Sequence, residues 1–276
     1  MNVQQALATA QARGLERLDA TLLLAHRLQR RREWLIANPD QEIDAKAFAA
    51  FDDDCRLRAD GVPLAYLTGR REFMGLDLRI TPDVLVPRPE TETLAQWAIE
   101  RVQAMSCARP RVIDLGAGSG ALALAIAHAC PRAEVTATDS SAAALAVART
   151  NARRLGLTVR FLLGDWWSAV GSGQFDLAVS NPPYVAAGDP YLTALRHEPQ
   201  AALVAGARGL DALKRVIGQA QPHLHGWLLV EHGYDQVDDV RHLLAGAGLV
   251  GIETRRDLAG HTRCSGGQTP PTRACA

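Results

Sequence analysis

The sequence has few cysteines, and no two of them are closely spaced. The five, Cys55, Cys107, Cys130, Cys264 and Cys275, are odd in number and far apart, with no C-x-x-C pair. This pattern suggests neither a disulfide framework nor a zinc knuckle. It is typical of a protein that works in a reducing compartment, so we expect a cytoplasmic location.

The sequence also lacks an excess of charge and a long apolar run. Thirty basic side chains balance thirty acidic ones among 276 residues. A protein that holds duplex nucleic acid mainly through its phosphates needs a basic field, so the balance argues against that class. The longest apolar stretch, 121–127, is far short of the roughly 20 residues that span a bilayer. With no signal-peptide pattern at the amino end, we expect a soluble protein with no membrane contact and no direct nucleic-acid binding.

Apolar residues make up 47% of the chain, enough for one large core and a small second domain. In the first 80 residues, leucines recur at helical spacing without an alternating run, which predicts a helical domain. Its charges balance, twelve basic against twelve acidic up to Ile80. We therefore interpret the run Arg30–Arg31–Arg32 as a solvated helix end rather than a contact site for an acidic partner.

A strand-like segment follows the helical region. Leu76, Leu78 and Ile80 alternate, and a turn at 81–83 precedes a second apolar run at 84–86, which predicts a β-hairpin. The prolines at 87 and 89 end it, and helical spacing resumes at 90–103. We predict a helical domain over 1–72, a connecting hairpin over 73–87 and a second domain over 88–276.

Strand-like and helix-like segments alternate in the second domain, with strands expected at 111–115, 134–138, 158–163, 175–180, 226–231 and 250–256. Such alternation predicts an α/β fold, in which a mostly parallel sheet carries helices on both faces. In open sheets of this kind, ligands bind outside the carboxyl ends of the strands. Candidate site residues are therefore those that follow the strands.

A glycine-rich turn follows the first of these strands and begins a helix. Its candidate cofactor-binding residues are Gly116, Ala117, Gly118, Ser119 and Gly120. Glycines allow a tight turn and close approach of a ligand to the backbone. The same letters fit a dinucleotide fingerprint, so the turn alone leaves the cofactor open.

Asp139 ends the second strand, nineteen positions after Gly120. Its carboxylate can accept hydrogen bonds from both hydroxyls of a ribose, which suits NAD and S-adenosylmethionine equally. A helix-capping role is the alternative and is compatible with ribose binding. After the third strand, Asp165 is a candidate partner for an adenine amino group and Trp166 for the face of its ring, while Trp167 is expected in the core.

Asn181, Pro182, Pro183 and Tyr184 follow the fourth strand. An amide or exocyclic amine nitrogen is a poor nucleophile, so an enzyme that alkylates one must hold both hydrogens and aim the lone pair. The Asn181 side-chain oxygen and the Pro182 carbonyl can accept one hydrogen each. The prolines make that carbonyl rigid, and Tyr184 can pack on the planar group. We predict that these residues bind the acceptor, with Asn181, Pro182 and Tyr184 also catalytic and Asn181 also near the cofactor.

Together these elements resemble class I S-adenosylmethionine-dependent methyltransferases. More closely, the chain resembles the protein-(glutamine-N5) methyltransferases of peptide chain release factors, the PrmC or HemK family. The resemblance covers nearly the whole chain and includes the segments 63–69, 72–75, 84–92, 198–199, 209–211, 231–233 and 256–260. The Asn-Pro-Pro-Tyr element is shared with DNA adenine and ribosomal RNA methyltransferases; the proline-arginine-proline-acid segment at 87–90 and the helical first domain narrow the choice.

The resemblance implies a Rossmann-like domain with a mostly parallel seven-stranded sheet. It implies transfer of a methyl group from S-adenosylmethionine, which leaves S-adenosylhomocysteine, to the glutamine of the Gly-Gly-Gln loop of class-1 release factors. It also implies that the amino-terminal helices grip the release factor outside that loop. We expect a monomer. Arg208 departs from the family, which usually has an acid before Gly209, and this leaves the contacts of that acid open.

Other interpretations compete with this one. Methylation of adenine N6 or guanine N2 in nucleic acid would use the same four-residue element, and a ribosomal-protein glutamine is another possible acceptor. An NAD-dependent oxidoreductase would leave Asn181 to Tyr184 without a task. A binding protein with a vestigial cofactor pocket is the non-enzymatic alternative.

Two further features carry weaker signals. His223 and His225 lie two apart with no third ligand suggested, so we predict no metal. The tail contains Gly266–Gly267–Gln268, the same tripeptide as the implied substrate. We expect this tail to be loose and attribute the match to chance.

Overall fold

A computed structural model describes residues 1–270, so Cys275 lies outside the described residues. Contacts divide the chain into two units, Met1–Arg70 and a second unit that begins at Arg71. The first unit is helical, as the leucine spacing predicts. Its helices are α1 Val3–Ala12, α2 Arg17–Leu28, α3 Arg32–Ala37, α4 Ala45–Ala59 and α5 Leu64–Thr68.

The helices of the first unit pack around their own apolar core. Leu23, Leu24 and Phe51 are completely or almost completely buried in it. Asn2 caps α1 with a capping box, because its side-chain oxygen accepts from the Gln5 backbone N–H while the Gln5 side-chain oxygen accepts from the Asn2 backbone N–H. Arg30 and Arg31 lie between α2 and α3, Arg32 begins α3, and all three are exposed, which agrees with a solvated helix end.

The hairpin lies earlier than the sequence predicts. Its strands are β1 Arg70–Phe73 and β2 Leu76–Arg79, and its turn is at Met74 and Gly75, both with positive φ. The predicted second strand over 84–86 is wrong. The prolines that follow cannot donate to a ladder, and the backbone N–H of Val86 instead donates to the buried Glu198 carboxylate at 3.0 Å.

The second unit contains the predicted alternation. Its helices are α6 Thr91–Ala104, α7 Ala121–Ala129, α8 Ala142–Leu155, α9 Asp211–Gly218 and α10 Val237–Gly246. Its strands are β3 Arg111–Leu115, β4 Glu134–Asp139, β5 Arg160–Leu163, β6 Phe175–Ser180, β7 Leu224–Glu231, β8 Val250–Arg256 and β9 Thr262–Gln268. Short 3-10 helices lie at Trp166–Val170, Pro190–Thr193, Gln200–Ala202 and Gln221–His223.

The seven strands form one sheet in the order β5-β4-β3-β6-β7-β9-β8, in which β9 is antiparallel to both neighbours and the other pairs are parallel. This confirms the predicted mostly parallel sheet. The chain moves outward from β3 in one direction through β4 and β5, and in the other direction through β6 and β7. The carboxyl ends of β3 and β6 therefore meet at a topological switch point, where open α/β sheets bind ligands.

The strand β9 is absent from the sequence prediction, and the expectation of a loose tail is wrong up to Gln268. Leu228 pairs with Gly267, and Leu229 pairs with Gly266. Gly266 and Gly267 are buried because the strand lies between β7 and β8. The Gly-Gly-Gln tripeptide is thus a strand segment of the sheet. Among residues 1–270, every helix is too short or too polar to cross a bilayer.

Candidate active site

A cavity of about 520 Å³ opens at the carboxyl ends of four neighbouring strands. The residues that follow β3, β4, β5 and β6 contribute to its wall, and so do two loops that come from elsewhere in the second unit. The sequence-predicted residues in the wall are Gly116, Ala117, Gly118, Ser119, Asp139, Asp165, Trp166, Asn181 and Pro183. The cavity therefore brings together most of the predicted cofactor and acceptor residues.

The glycine turn needs its glycines for two physical reasons. Gly116, Gly118 and Gly120 all have positive φ, at 84°, 52° and 85°, a region that side-chain-bearing residues rarely adopt. A Cβ on Gly116 would lie 3.0 Å from the Trp166 ring. The turn is fixed to the next strand because the Gly116 and Ala117 backbone N–H groups both donate to the Thr138 carbonyl oxygen, at 2.9 and 2.8 Å.

Gly120 is outside the cavity wall. It is the residue that begins α7, and a Cβ there would lie 3.2 Å from the Ala148 Cβ. Gly120, predicted as a cofactor contact, therefore lies where α7 packs closely against α8.

Asp139 holds the rim of the cavity with both carboxylate oxygens. One accepts from the Gly118 backbone N–H and the other from the Ser141 backbone N–H, each at 2.8 Å. Ser141, not Asp139, caps α8 through its side chain. A carboxylate oxygen has two acceptor sites, so each oxygen can accept a further bond from a ligand hydroxyl.

Asp114, the last but one residue of β3, lies beneath the turn and is fully buried. One of its oxygens accepts from the Ala123 backbone N–H at 3.1 Å, in the first turn of α7. Burial raises the pKa of Asp114 to about 7, the Ala123 bond opposes this rise, and the charge of Asp139 adds to it. The amino terminus of α7, where a pyrophosphate would bind, thus already faces a carboxyl group.

The segment after β5 gives its three candidates different roles. Trp166 is half-buried with φ at 48°, and its ring lies against Gly116. Trp167 is buried, as predicted, and its indole N–H donates to the Val216 carbonyl oxygen at 2.8 Å. Asp165 forms an ion pair with Arg215 on α9, so its carboxylate already has a cationic partner.

The four residues after β6 divide between cavity and interior. Asn181 and Pro183 line the cavity, whereas Pro182 is buried. The Asn181 side-chain nitrogen Nδ2 donates to the Thr91 hydroxyl at 3.0 Å. Within residues 1–270, no side chain or backbone group donates to the Asn181 oxygen Oδ1. That oxygen is the acceptor that Asn181 offers to a ligand.

Tyr184 is not in the cavity wall formed by the described residues, and the packing of its ring on the acceptor stays a prediction. Its ring packs against the apolar core and its hydroxyl donates to Glu231 at 3.1 Å. Burial and the charge of Glu231 raise the pKa of Tyr184 above its usual range. The hydroxyl therefore stays protonated and remains a donor.

Sequence reasoning missed several residues of this site. Arg88, in the segment that precedes α6, and Thr91, the first residue of α6, both line the cavity. Glu198 is buried and joins this segment to a second cavity loop, because it accepts from both Arg88 and the Val86 backbone. The family-like letters at 84–92 and 198–199 were the available signal, but letters alone do not show which residues contact one another.

The weaker candidates have other places. His223 stacks on Trp167 with 5.2 Å between ring centroids. The described residues contain no cluster of three metal-ligating side chains. Arg208 pairs with Asp239 on α10 at 2.9 Å, which is the contact that this departure from the family pattern makes.

Comparison with known proteins shows which families this chain is similar to. A family described as the PrmC N-terminal domain matches residues 2–69, and the methyltransferase small domain matches residues 96–207. Proteins named release factor glutamine methyltransferase are similar over nearly their whole length. The one from Bordetella pertussis is 50% identical over 92% of this chain and 95% of its own. The one from Xylella fastidiosa strain 9a5c is 47% identical over 96% and 98%.

Among solved structures, a T. thermophilus 16S rRNA N2 methyltransferase in complex with AdoMet and guanosine has the same fold. The superposition gives a TM-score of 0.54 at 20% identity, over 73% of this chain and 50% of that one.

Proposed function

The chain belongs to the release factor glutamine methyltransferase family, and on that premise we propose that it methylates the side-chain amide nitrogen of a glutamine in peptide chain release factors. The observation that carries the proposal is the place of Asn181. Its amide lies in the wall of the same cavity as the glycine turn and Asp139, with the nitrogen bound and the oxygen free to accept. An amide acceptor and a methyl donor can therefore meet in one cavity.

The residues around the glycine turn fit S-adenosylmethionine as the donor. The cavity has the size usual for small-molecule sites, roughly 300–1,000 Å³. Trp166 offers an aromatic face and Asp139 a carboxylate at the rim. Because Asp114 faces the amino terminus of α7, a cofactor without a pyrophosphate suits this end of the sheet better than NAD does.

We assign the donor to residues 116–119, Asp139, Trp166 and the adjoining side of Asn181. When bound, S-adenosylmethionine supplies an electrophilic methyl group on a sulfonium sulfur, and S-adenosylhomocysteine is the product. The chain's own contribution is to hold this group beside the acceptor and to exclude water from the space between them.

The acceptor side of the proposal rests on hydrogen-bond acceptors. The Asn181 oxygen and the Pro182 carbonyl each accept one hydrogen of the glutamine amide, which aims the nitrogen lone pair at the methyl group. Orientation of this kind can supply up to roughly 7–11 kcal/mol of a barrier. The reacting nitrogen loses a proton after it becomes cationic, so the route needs no strong base. Pro183 lines the cavity beside them, and Tyr184 acts from outside it.

The remaining assignments are also proposals. The helical region 1–72 contacts the release factor outside its Gly-Gly-Gln loop, and region 88–276 carries the transfer. Since release factors act on ribosomes, the reaction takes place in the cytoplasm. A monomeric state and the absence of direct nucleic-acid binding stay predictions.

A transfer assay with alternative acceptors tests the proposal. The protein is incubated with methyl-labelled S-adenosylmethionine and, in separate reactions, with a release factor, ribosomal proteins, ribosomal RNA or duplex DNA. We expect label in the release factor alone, and none in a release factor whose loop glutamine is replaced by alanine. Label in RNA, DNA or a ribosomal protein, with none in the release factor, would replace the proposed acceptor.

A further inference from the structure

Behind Asn181 lies a chain of polar groups that the transfer reaction as described does not use. Asn181 Nδ2 donates to the Thr91 hydroxyl at 3.0 Å, and the Tyr184 hydroxyl donates to Glu231 Oε1 at 3.1 Å. Thr91 begins α6 and Glu231 ends β7, so the two come from distant parts of the sequence. Thr91 is 4% exposed and Glu231 is 0% exposed.

The Thr91 hydroxyl connects the Asn181–Thr91 hydrogen bond with the Tyr184–Glu231 hydrogen bond. It has one proton to donate, and since it accepts from Asn181, that proton is free for another partner. Its interaction with the Glu231 carboxylate favours the ionised form. Glu231 Oε2 is buried without a hydrogen bond of standard geometry in the described part of the chain, so the Thr91 proton is the donor available to it.

The direction of these bonds determines which end of the Asn181 amide faces the cavity. If the amide were turned over, its oxygen would face Thr91 and would take the hydroxyl proton. Glu231 Oε2 would then be buried without any donor, which costs about 1–3 kcal/mol for a neutral group and more for a charged one. The carboxylate therefore favours the arrangement in which nitrogen faces Thr91 and oxygen faces the cavity.

We propose that Thr91 and Glu231 are positioning residues for the transfer: the Glu231 carboxylate orients the Thr91 hydroxyl, which in turn keeps the Asn181 oxygen directed at the acceptor amide. This inference rests on the proposed function, because it assigns the orientation of the same Asn181. With the amide turned over, two N–H donors would face each other and the acceptor nitrogen would lose one of its two holds.

Tyr184 lies at the end of this row of polar groups, beyond Glu231. Its hydroxyl binds Glu231, and its backbone oxygen accepts from the Gln236 side chain at 3.0 Å. A Cβ on Gly209 would lie 2.1 Å from that oxygen, so the backbone here is tightly enclosed. Tyr184 therefore keeps Glu231 in place instead of contacting the acceptor.

The groups around Glu231 determine the pH range in which its carboxyl group is ionised and can orient Thr91. Burial raises the pKa of Glu231 to about 7, Glu90 adds to the rise, and the bonds from Thr91 and Tyr184 and the charge of Arg263 oppose it. Glu231 pairs with Cys264 on the neighbouring strand β9. Burial raises the pKa of the Cys264 thiol, so that thiol stays neutral. Assays at about pH 8.5 thus examine the ionised carboxylate.

The first test compares Thr91→Val, which keeps the shape and removes the hydroxyl, with Thr91→Ser, which keeps the hydroxyl. Transfer to the release factor is measured together with the affinity for S-adenosylmethionine. We expect Thr91→Val to lower kcat/KM for the release factor by about tenfold to a hundredfold, with cofactor affinity and melting temperature near those of the wild type. Thr91→Ser should recover most of the loss. Thr93→Val, on the same helix and outside the cavity wall, is the matched control.

Glu231→Gln tests whether the Glu231 carboxylate sets the orientation of the Asn181 amide. A glutamine can present its amide nitrogen to Thr91 and so permits either orientation of Asn181. We expect kcat/KM between those of Thr91→Ser and Thr91→Val. Equal activity of Thr91→Val and Thr91→Ser, or wild-type activity of Glu231→Gln, would overturn the proposal.

A readout that is independent of transfer separates this inference from the proposed function. In protein with isotope-labelled asparagine, hydrogen exchange of the Asn181 side-chain amide is followed by NMR, with Asn181→Ala to assign the signal. We expect protection in the wild type and Thr91→Ser, and its loss in Thr91→Val. Protection that does not depend on the Thr91 hydroxyl refutes the positioning role. Protection as expected, with no methylation of a release factor, refutes only the acceptor.

Discussion

Gly116 is the residue at which a single added carbon would most directly change the cavity. Its φ of 84° disfavours any side chain, and a Cβ would lie 3.0 Å from the Trp166 ring. The ring can give way only by moving within the proposed donor site. The glycine and the tryptophan thus form one surface, although 50 positions separate them in the sequence.

We expect Gly116→Ala to weaken S-adenosylmethionine binding by about tenfold or more. The backbone penalty is about 1–2 kcal/mol, and the displaced Trp166 ring adds to it. Calorimetric titration measures the affinity. Gly156→Ala is the control, because Gly156 also has positive φ, at 66°, but nothing lies within 4 Å of its Cβ position. Equal affinities in the two variants would contradict this account of the turn.

Asp114 makes stability depend on pH in a direction that can be derived. Burial raises its pKa from 3.8 to about 7 in the folded protein. Between these values the unfolded chain releases the proton that the folded chain keeps, so the free energy of unfolding falls as pH rises. Below about pH 4 both states hold the proton, and this contribution is at its most favourable.

We therefore expect melting temperatures from pH 4 to 8 to fall more steeply for the wild type than for Asp114→Asn, which has no proton to lose. The asparagine keeps an oxygen for the Ala123 backbone N–H. Parallel curves for the two proteins would show that Asp114 titrates normally.

At the scale of elements, the strands that lead to the site could be predicted, and the strand that closes the sheet could not. β3 and β6 are apolar runs followed by Gly and Asn-Pro, so the ends of both strands could be predicted from the sequence. β9 contains Gly266, Gly267 and Gln268, residues with little strand preference. It exists because β7 and β8 supply partners on both sides. The hairpin was misplaced for a related reason, since the Val86 backbone N–H donates to Glu198 instead of to a neighbouring strand.

The tightness around β9 gives a prediction for this element. A Cβ on Gly266 would lie 2.5 Å from the Leu229 side chain and 2.6 Å from the Leu228 carbonyl oxygen. We expect Gly266→Ala to reduce the free energy of unfolding by about 1–3 kcal/mol, measured by denaturant titration. Gly246→Ala, at the end of α10 with nothing within 4 Å, should be neutral or slightly stabilising. A neutral Gly266→Ala would mean that β9 is not packed as described.

At the scale of the whole molecule, the sequence was enough for the class of fold and for the family. Alternating segments predicted the parallel sheet, and its order places the ends of β3 and β6 side by side. The contacts between distant segments were beyond the sequence. Thr91, which accepts from Asn181, precedes it by 90 positions, and Glu231, which accepts from the Tyr184 hydroxyl, follows Asn181 by 50 positions. Only the folded chain shows these contacts.

The central claim is that Asn181 holds a release-factor glutamine for methylation. Tandem mass spectrometry of a release factor incubated with S-adenosylmethionine and either wild-type protein or Asn181→Ala tests it most directly. We predict one added methyl on the glutamine of the Gly-Gly-Gln loop with the wild type, and none with Asn181→Ala although that variant still binds the cofactor. An unmodified loop glutamine with the wild type, or equal modification by both proteins, would contradict the account.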